Sequence, residues 1–259
     1  MNLLLLQDAD RNGSEASVSG RRAHHIKSVL KKTCGDSLIA GIENQGYCLA
    51  TIVAISDTTV DLKLGEITPA SRPLVHVVLA VPRPKALSRI VSAAASFGAQ
   101  SLTLIGAWRV EKSYFDSPRL TTQRLRDDAV LGAEQGKQVW VPRISVVQGF
   151  RRYVEDVDPV QFGSFPVDRI ALHPGASVTL DAALPNQERH RETVLALGPE
   201  GGFISSELES WQQAGYALAC LQTGPLKTEV ALAAALGQIA LLRPPLSSHF
   251  LSSLAPEGQ

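Results

Sequence analysis

Three glycines, a proline and a carboxylate stand together in the segment Gly198-Pro199-Glu200-Gly201-Gly202. The apolar run before it, Thr193 to Leu197, lacks the polar face of a helix and is predicted to be a buried strand. After it, Ser206 and Glu209 have the spacing of a capping box, which predicts the start of a helix. In an open parallel sheet, such a strand, loop and helix form a ligand site beside a helix N-terminus.

The spacing of these glycines matches neither the dinucleotide fingerprint nor the phosphate-binding P-loop. Glu200 would repel a polyphosphate, so the loop suits a ligand with hydroxyls, amines or a positive centre, held mainly by main-chain groups. The alternative is a tight turn that binds nothing, and the glycines alone favour that alternative. The second loop decides between the two.

The second loop reads Leu221-Gln222-Thr223-Gly224-Pro225-Leu226-Lys227-Thr228-Glu229-Val230-Ala231. It follows a short apolar run, Tyr216 to Leu221, which is predicted to be a strand. Together the two loops resemble the closing motifs of the SPOUT methyltransferases that act on N3 of a uridine in 16S ribosomal RNA. In that family, G-P-E-G-G-[FL] and L-G-x-R-[IV]-L-R-x-E-T-A loops hold S-adenosylmethionine (SAM). The first loop matches fully.

The second loop matches the family in part. The matching positions are Leu221, Leu226, Thr228, Glu229 and Ala231. Lys227 stands where an arginine is usual. Gln222 replaces the usual glycine, Gly224 the first arginine, and Pro225 an aliphatic residue. Replacing an arginine by glycine removes five donors and a fixed charge, so a neighbour must substitute or the contact is absent.

The resemblance implies an α/β fold, in which residues 74–245 form a SPOUT-type, trefoil-knotted parallel sheet with helices on both faces. A small PUA-like β-barrel that helps to hold RNA precedes it at 1–70, and 246–259 form a tail. The resemblance also implies SAM as cofactor, 16S rRNA or the small ribosomal subunit as partner, and a homodimer. It assigns cofactor binding to main-chain groups of the two loops and to a third segment, 173–175, that follows another predicted strand. The candidate cofactor-binding residues are His173, Pro174, Gly175, Leu197, Gly198, Pro199, Glu200, Gly201, Gly202, Leu221, Gln222, Thr223, Gly224, Leu226 and Thr228.

The composition is that of a globular protein of one or two domains, with 259 residues, 44% apolar content and formal net charge zero. Neither a signal peptide nor a membrane-spanning run is evident, so a cytoplasmic protein without a membrane partner is expected. Cys34, Cys48 and Cys220 are odd in number and far apart, which predicts neither disulfides nor a metal site.

The first 70 residues contain short β-like runs at 3–6, 37–42, 47–55 and 59–64, with Asn44-Gln45-Gly46 as a hairpin turn. Arg21 to Lys32 has helical spacing of its apolar residues and carries five Lys or Arg without an acid. Ala23-His24-His25 matches a segment usual in the family. We expect this helix to contact RNA, unless it is only a solvated face, through Arg22, His25, Lys27, Lys31 and Lys32.

After a proline-containing linker at 67–73, strands are predicted at 74–81, 101–105 and 169–172, with helices at 87–97 and 121–135. The segment from Val230 to Leu242 is predicted to be a helix. It is apolar on nearly every side, more than one core-facing stripe requires. Its excess apolar surface is predicted to form the dimer interface.

Pro82 to Arg126 holds eight basic residues against two acidic ones. Trp108, Tyr114 and Phe115 are interleaved with them, as in sites for an unstacked RNA base, although each aromatic alone is more often a core residue. The candidate RNA contacts here are Arg83, Lys85, Arg109 and Lys112.

Glu229 is the candidate base for the N3 proton. Its alternative role is that of a first-turn carboxylate facing the helix dipole. In a third possibility, N3 loses its proton to water while a nearby Arg or Lys stabilises the uracil anion. Two other classes stay open: an RNA-binding protein without catalysis, and an α/β enzyme acting on a small nucleotide.

Overall fold

The structure is a computed structural model that describes residues 2–184 and 191–243. Two sheets organise these residues, one built from the chain up to Pro69 and the other from Val75 onward. The predicted tail at 246–259 and the last two residues of the predicted second domain lie outside the described residues.

The first sheet has seven strands in the order β1-β4-β5-β6-β3-β2, with β7 beside β5. Its strands are β1 Leu4–Leu6, β2 Arg11–Asn12, β3 Glu15–Ser19, β4 Ser37–Ile42, β5 Gly46–Ile55, β6 Thr59–Leu64 and β7 Thr68–Pro69. The four predicted runs and the hairpin turn at Asn44 are confirmed. Strands β2, β3 and β7 were not predicted: β2 and β7 have two residues each, and in β3 only Ala16 and Val18 are buried. The sheet encloses a hydrophobic core of its own.

The predicted basic helix is shorter than expected. An α-helix, α1 (Gly20–His24), continues as a π-turn over His25–Val29 and stops there. The wider turn is closed by the Leu30 N–H, which donates to the His25 carbonyl at 2.9 Å. Lys31 then adopts a positive φ of 51°, which ends the helical path.

The second sheet has six parallel strands in the order β10-β9-β8-β12-β11-β13. They are β8 Val75–Ala80, β9 Ser101–Ile105, β10 Arg143–Val147, β11 Val167–Leu172, β12 Glu192–Leu197 and β13 Ala217–Ala219. β10 was not predicted, since most of its residues are partly exposed at the sheet edge. The predicted strand at Tyr216 to Leu221 is confirmed only at Ala217–Ala219.

Helices cover both faces of this sheet, as predicted. They are α2 Pro84–Ser96, α3 Thr122–Gln135, α4 Phe150–Arg152, α5 Asp158–Phe162, α6 Leu180–Ala183, α7 Ser205–Gln213 and α8 Thr228–Leu242. Along β8, Val77 and Leu79 join the core formed with α2, α3 and α8, whereas Val78 and Ala80 join the core around Trp211 of α7. This alternation is expected of a strand buried on both faces.

The first sheet is attached to the C-terminal end of α3. The Asn2 side chain donates to the Gln135 carbonyl at 2.9 Å, and the Tyr47 hydroxyl donates to the Lys137 carbonyl at 2.9 Å. Arg21 pairs with the buried Glu134 carboxylate, with 2.5 Å between Nη2 and Oε2. Glu134 and Gln135 therefore hold the N-terminal sheet against the second one.

Cys34, Cys48 and Cys220 are free thiols. In the part of the chain that the structure describes, no three His, Cys, Asp or Glu side chains cluster as metal ligands would. Over the same residues, every helix is too short or too polar to cross a membrane.

Candidate functional site

The neighbouring strands β12, β11 and β13 end at the same edge of the sheet, where the loops that follow them meet. The carboxyl ends of β12 and β11 lie in register, with Leu197 opposite Leu172, and Leu172 in turn lies opposite Ala219 of β13. Three loops that are far apart in sequence therefore enclose one cavity of ≈ 330 Å³. The position, beyond the carboxyl ends of parallel strands, is that of ligand sites in open α/β sheets.

Most of the predicted cofactor residues line this cavity: His173, Pro174, Leu197, Gly198, Pro199, Glu200, Gly201, Gly202, Leu221, Thr223, Gly224, Leu226 and Thr228. Gly175 and Gln222 do not form part of its wall. The wall also contains Arg109, Leu172, Phe203, Ala219, Cys220, Pro225 and Ala231. Ala219 and Cys220 were missed because β13 ends two residues earlier than predicted, so that the wall begins before Leu221.

The glycine loop folds closely on itself. A Cβ atom on Gly198 would lie only 3.1 Å from the Phe203 main-chain nitrogen. The turn is closed by the Gly202 N–H, which donates to the Pro199 carbonyl at 2.8 Å. Gly202 has φ +73°, so it is the position in this loop that needs a left-handed conformation.

Two contacts fix the glycine loop to other elements. Glu200 Oε1 accepts a hydrogen bond from the main-chain N–H of Arg83 at 3.0 Å, just before α2. On the other side, the Arg109 guanidinium donates to the Gly201 carbonyl. The Glu200 carboxylate therefore has a structural partner, and Arg109 brings a cation into the cavity wall.

The predicted capping box at Ser206 and Glu209 is wrong, because α7 begins at Ser205, two residues earlier than that pattern requires. Glu207 performs the capping: its Oε2 accepts from the Ile204 N–H at 3.0 Å. Its Oε1 accepts from the main-chain N–H of Trp108 at 2.8 Å. Glu207 is 5% exposed, so this buried carboxylate joins the loop before Arg109 to the first turn of α7.

The second loop contains one strained position. Gln222 has φ +56°, a left-handed conformation that glycine adopts more easily. This is the position where the resembled family usually has glycine. Two residues further on, a Cβ on Gly224 would meet no atom within 4 Å, so a side chain could begin there without a clash.

Glu229 lies in the first turn of α8, outside the cavity wall. Its main-chain N–H is the largest cause of a lowered pKa at Glu229, and Arg89 lowers this pKa further. The Arg89 Nη2 lies 3.2 Å from Oε1. These contacts favour the first-turn carboxylate role over that of a base, because a lowered pKa makes a carboxylate a weaker proton acceptor.

The predicted cations of the N-terminal sheet differ in their contacts. Arg22 forms two hydrogen bonds with Asp10, at 2.6 and 2.7 Å, and Lys27 donates to the Ser56 and Asp57 carbonyls at 3.0 and 2.7 Å. His25 is half-buried in the π-turn. The main-chain N–H and the hydroxyl of Thr33 lower the pKa of Asp36, and Lys32 lowers this pKa further. Lys31 is exposed.

One of the predicted cations of the second sheet region lies in the cavity wall. Arg83, Lys85 and Lys112 are exposed, and Arg109 lines the wall. The three aromatic residues of this region separate: Tyr114 and Phe115 pack against the core, whereas Trp108 is 79% exposed. Of these three aromatic rings, Trp108 is thus the exposed one, and it directly precedes Arg109 of the cavity wall in the chain.

The sequence matches two family models. Residues 70–240 match the RNA methyltransferase domain and residues 18–65 match the RNA methyltransferase PUA domain. Among curated proteins, ribosomal RNA small subunit methyltransferase E 1 of Borreliella burgdorferi is 25% identical over 91% of this chain and 95% of its own length. Ribosomal RNA small subunit methyltransferase E of Treponema pallidum is 29% identical over 91% and 89%.

The fold is also similar to solved structures. A methyltransferase from Legionella pneumophila with bound SAM aligns with a TM-score of 0.73 at 18% identity, over 93% of this chain and 98% of its own. A ribosomal RNA small subunit methyltransferase E from Neisseria gonorrhoeae, also with SAM, aligns with the same TM-score and coverage at 14% identity. At these identities the likeness concerns the fold.

Proposed function

This chain belongs to the RNA methyltransferase family, and from that premise we propose that it transfers the methyl group of SAM to N3 of a uridine in 16S rRNA of the small ribosomal subunit. The predicted family and fold class are confirmed; the trefoil knot stays a prediction. The observation that carries the proposal is the cavity at the ends of β11, β12 and β13, in which the two glycine-containing loops meet.

The residues of the cavity fit SAM. The cavity volume of ≈ 330 Å³ lies at the lower end of the range for sites that bind small molecules. Apolar side chains, among them Leu172, Leu197 and Leu226, suit the adenine ring, and main-chain groups of the glycine loop suit the ribose hydroxyls and the amino group. SAM, when bound, supplies a methyl group already activated by its sulfonium, so the protein mainly aligns the reactants and excludes water.

We assign to Arg109 the role of contacting the uracil ring that is methylated. A uracil nitrogen attacks only after it loses its N3 proton, and the resulting anion spreads its charge over N3 and the two carbonyl oxygens. A guanidinium at the cavity wall stabilises that charge, and the proton leaves to water. Arg109 and Gly224 line the same cavity, and in this proposal Arg109 also supplies the cation that the second loop lacks.

RNA binding is assigned to the cations Lys31, Arg83, Lys85 and Lys112, which are all exposed. Phosphate contacts of this kind position the strand, while the cavity selects the base. Arg22 and Lys27 serve mainly to hold the π-turn region together, through the contacts described above. The substrate, a ribosomal subunit, implies a cytoplasmic location.

A homodimer is part of the proposal. In α8, Val230 is 47% and Leu241 is 81% exposed, and both would be covered by a second copy. Sedimentation of the full chain at micromolar concentration is expected to give a dimer, and Leu241→Asp is expected to shift it toward monomer. A parent chain that sediments as a monomer would refute this part alone.

Calorimetric titration with SAM tests the proposed function first. We expect one SAM molecule per chain and, when RNA is added, transfer of a labelled methyl group to it. Binding of RNA without binding of SAM would instead support a non-catalytic RNA-binding protein. Binding of another nucleotide, together with no salt-dependent RNA affinity, would support an enzyme acting on a small nucleotide.

A further inference from the structure

Trp108 is exposed to a degree that is unusual for tryptophan. Its relative exposure is 79%, whereas Trp211 is fully buried and Trp140 is half-buried. Leaving an indole in water forgoes the stabilisation that its burial would give, and tryptophan is enriched where proteins bind partners. Within the described residues, no hydrogen bond or ring contact involves this side chain.

The main chain beneath this indole is held in place on two sides. The Trp108 N–H donates to the buried Glu207 carboxylate at 2.8 Å, and the next residue, Arg109, binds the Gly201 carbonyl. The ring therefore projects from a fixed backbone beside the cavity wall, and not from a free loop. A fixed, exposed aromatic face loses little entropy when a flat ligand stacks on it.

We propose that Trp108 is a stacking platform for an unstacked base of the substrate RNA at the mouth of the cavity. The inference rests on the proposed function and adds a positioning residue to it. Every base offers a π-face to an aromatic ring, and the exposed Lys112 supplies positive charge for an adjoining phosphate. In this arrangement the indole holds the strand open while the uridine faces Arg109.

Steady-state kinetics with small ribosomal subunits as substrate test the role. Truncation of a stacking residue weakens RNA binding by about 5- to 150-fold. We therefore expect Trp108→Ala to raise KM for RNA in this range, with little change in kcat or in SAM affinity. Trp108→Phe should restore most of the loss, because it keeps an aromatic face. Val160→Ala, a truncation at another exposed apolar residue, serves as the control and should change nothing.

Intrinsic fluorescence gives a direct readout. Titration of the full chain with a uridine hexanucleotide should quench Trp108 emission, and a hexamer of the same charge without bases should not. Trp108→Phe should abolish the quenching, and Trp140→Phe should retain it. Equal quenching by both oligonucleotides, or an unchanged KM in Trp108→Ala, would overturn the proposal.

Two further outcomes are informative. If Trp108 emission changes with protein concentration in the absence of RNA, the indole is a contact between two copies, and the proposal is overturned. If the parent chain neither binds SAM nor methylates RNA, the proposed function fails, whereas base-dependent quenching would still support stacking. The failures of the two proposals are thus distinguishable.

Discussion

The Glu200 carboxylate accepts a hydrogen bond from the main-chain N–H of Arg83, with 3.0 Å between Oε1 and the nitrogen. The contact joins the glycine loop after β12 to the start of α2, where main-chain N–H groups lack helical partners. A carboxylate in a ligand-binding loop thereby helps to hold the loop in shape.

Replacement of Glu200 tests this contact. Glu200→Ala should lower SAM affinity about tenfold, because the loop loses its attachment to α2. Glu200→Gln retains an acceptor oxygen and should bind SAM nearly as tightly as the parent. Calorimetry measures both. Equal affinities in Glu200→Ala and the parent would show that the contact does not support the site.

Gly202 and Gly215 form a matched pair for testing the glycine loop. Both have positive φ, +73° and +84°, and a Cβ on either would meet no atom within 4 Å. Alanine at either position should cost about 1–2 kcal/mol of unfolding free energy, because only the backbone is strained. Gly202 lines the cavity, so Gly202→Ala alone should also weaken SAM binding.

Denaturant unfolding and a SAM titration of both variants check this prediction. A similar loss of SAM affinity in Gly215→Ala would mean that general destabilisation, and not the loop, controls binding.

The sequence predicted the parallel sheet well, because its strands are continuous apolar runs separated by amphipathic helices. It also predicted most of the cavity wall, because the two loops have a specific pattern. It did not predict the role of Glu207. This carboxylate caps its own helix and also accepts a hydrogen bond from the main chain of Trp108, 99 residues away, and no local sequence pattern indicates the second contact.

Side-chain partners that are separated in sequence were also not predicted. Arg22 and Lys27 had the spacing of an exposed basic face, yet Asp10 and two carbonyls of the turn after β5 engage them. Arg109 was predicted as an RNA contact, and its place in the cavity wall depends on the fold that brings Gly201 to it. Periodicity identifies the elements but not which cations remain available.

Because of His76, we expect the protein to lose stability in mild acid. Burial lowers the pKa of His76 below 6.5, and Arg72 and Arg143 lower it further. Glu192 raises this pKa, but by less than burial lowers it. The neutral His76 ring bonds Ser101 at 2.8 Å and Glu192 at 3.0 Å. As the pH falls through 6.5, the His76 ring gains a proton in the unfolded chain but stays neutral in the folded chain. The free energy of unfolding should therefore be at its full value above pH 6.5 and decrease as the pH falls below it.

Denaturant midpoints from pH 7.5 to 5 for the parent and His76→Gln measure this effect. The parent should lose more stability than the variant over this range. Parallel curves would show that His76 makes no contribution to the pH dependence.

The exposed lysines should control the salt dependence of RNA binding. Replacing Lys31, Lys85 and Lys112 by Gln removes up to three phosphate contacts and should reduce the slope of log affinity against log salt by about two to three. SAM affinity should not change, because none of the three lines the cavity. Lys63→Gln, at an exposed position on β6, is the single-charge control. An unchanged slope in the triple variant would exclude these lysines from the RNA interface.

Nucleoside analysis of the reaction product shows which base the protein methylates. Small ribosomal subunits that lack the modification are incubated with the protein and methyl-labelled SAM, and the RNA is digested and separated by chromatography with mass detection. We predict labelled 3-methyluridine at a stoichiometry approaching one per subunit, and a strong reduction with Arg109→Ala. Label in a different nucleoside, or no label although SAM and subunits are both bound, would contradict methylation of uridine N3 by this protein.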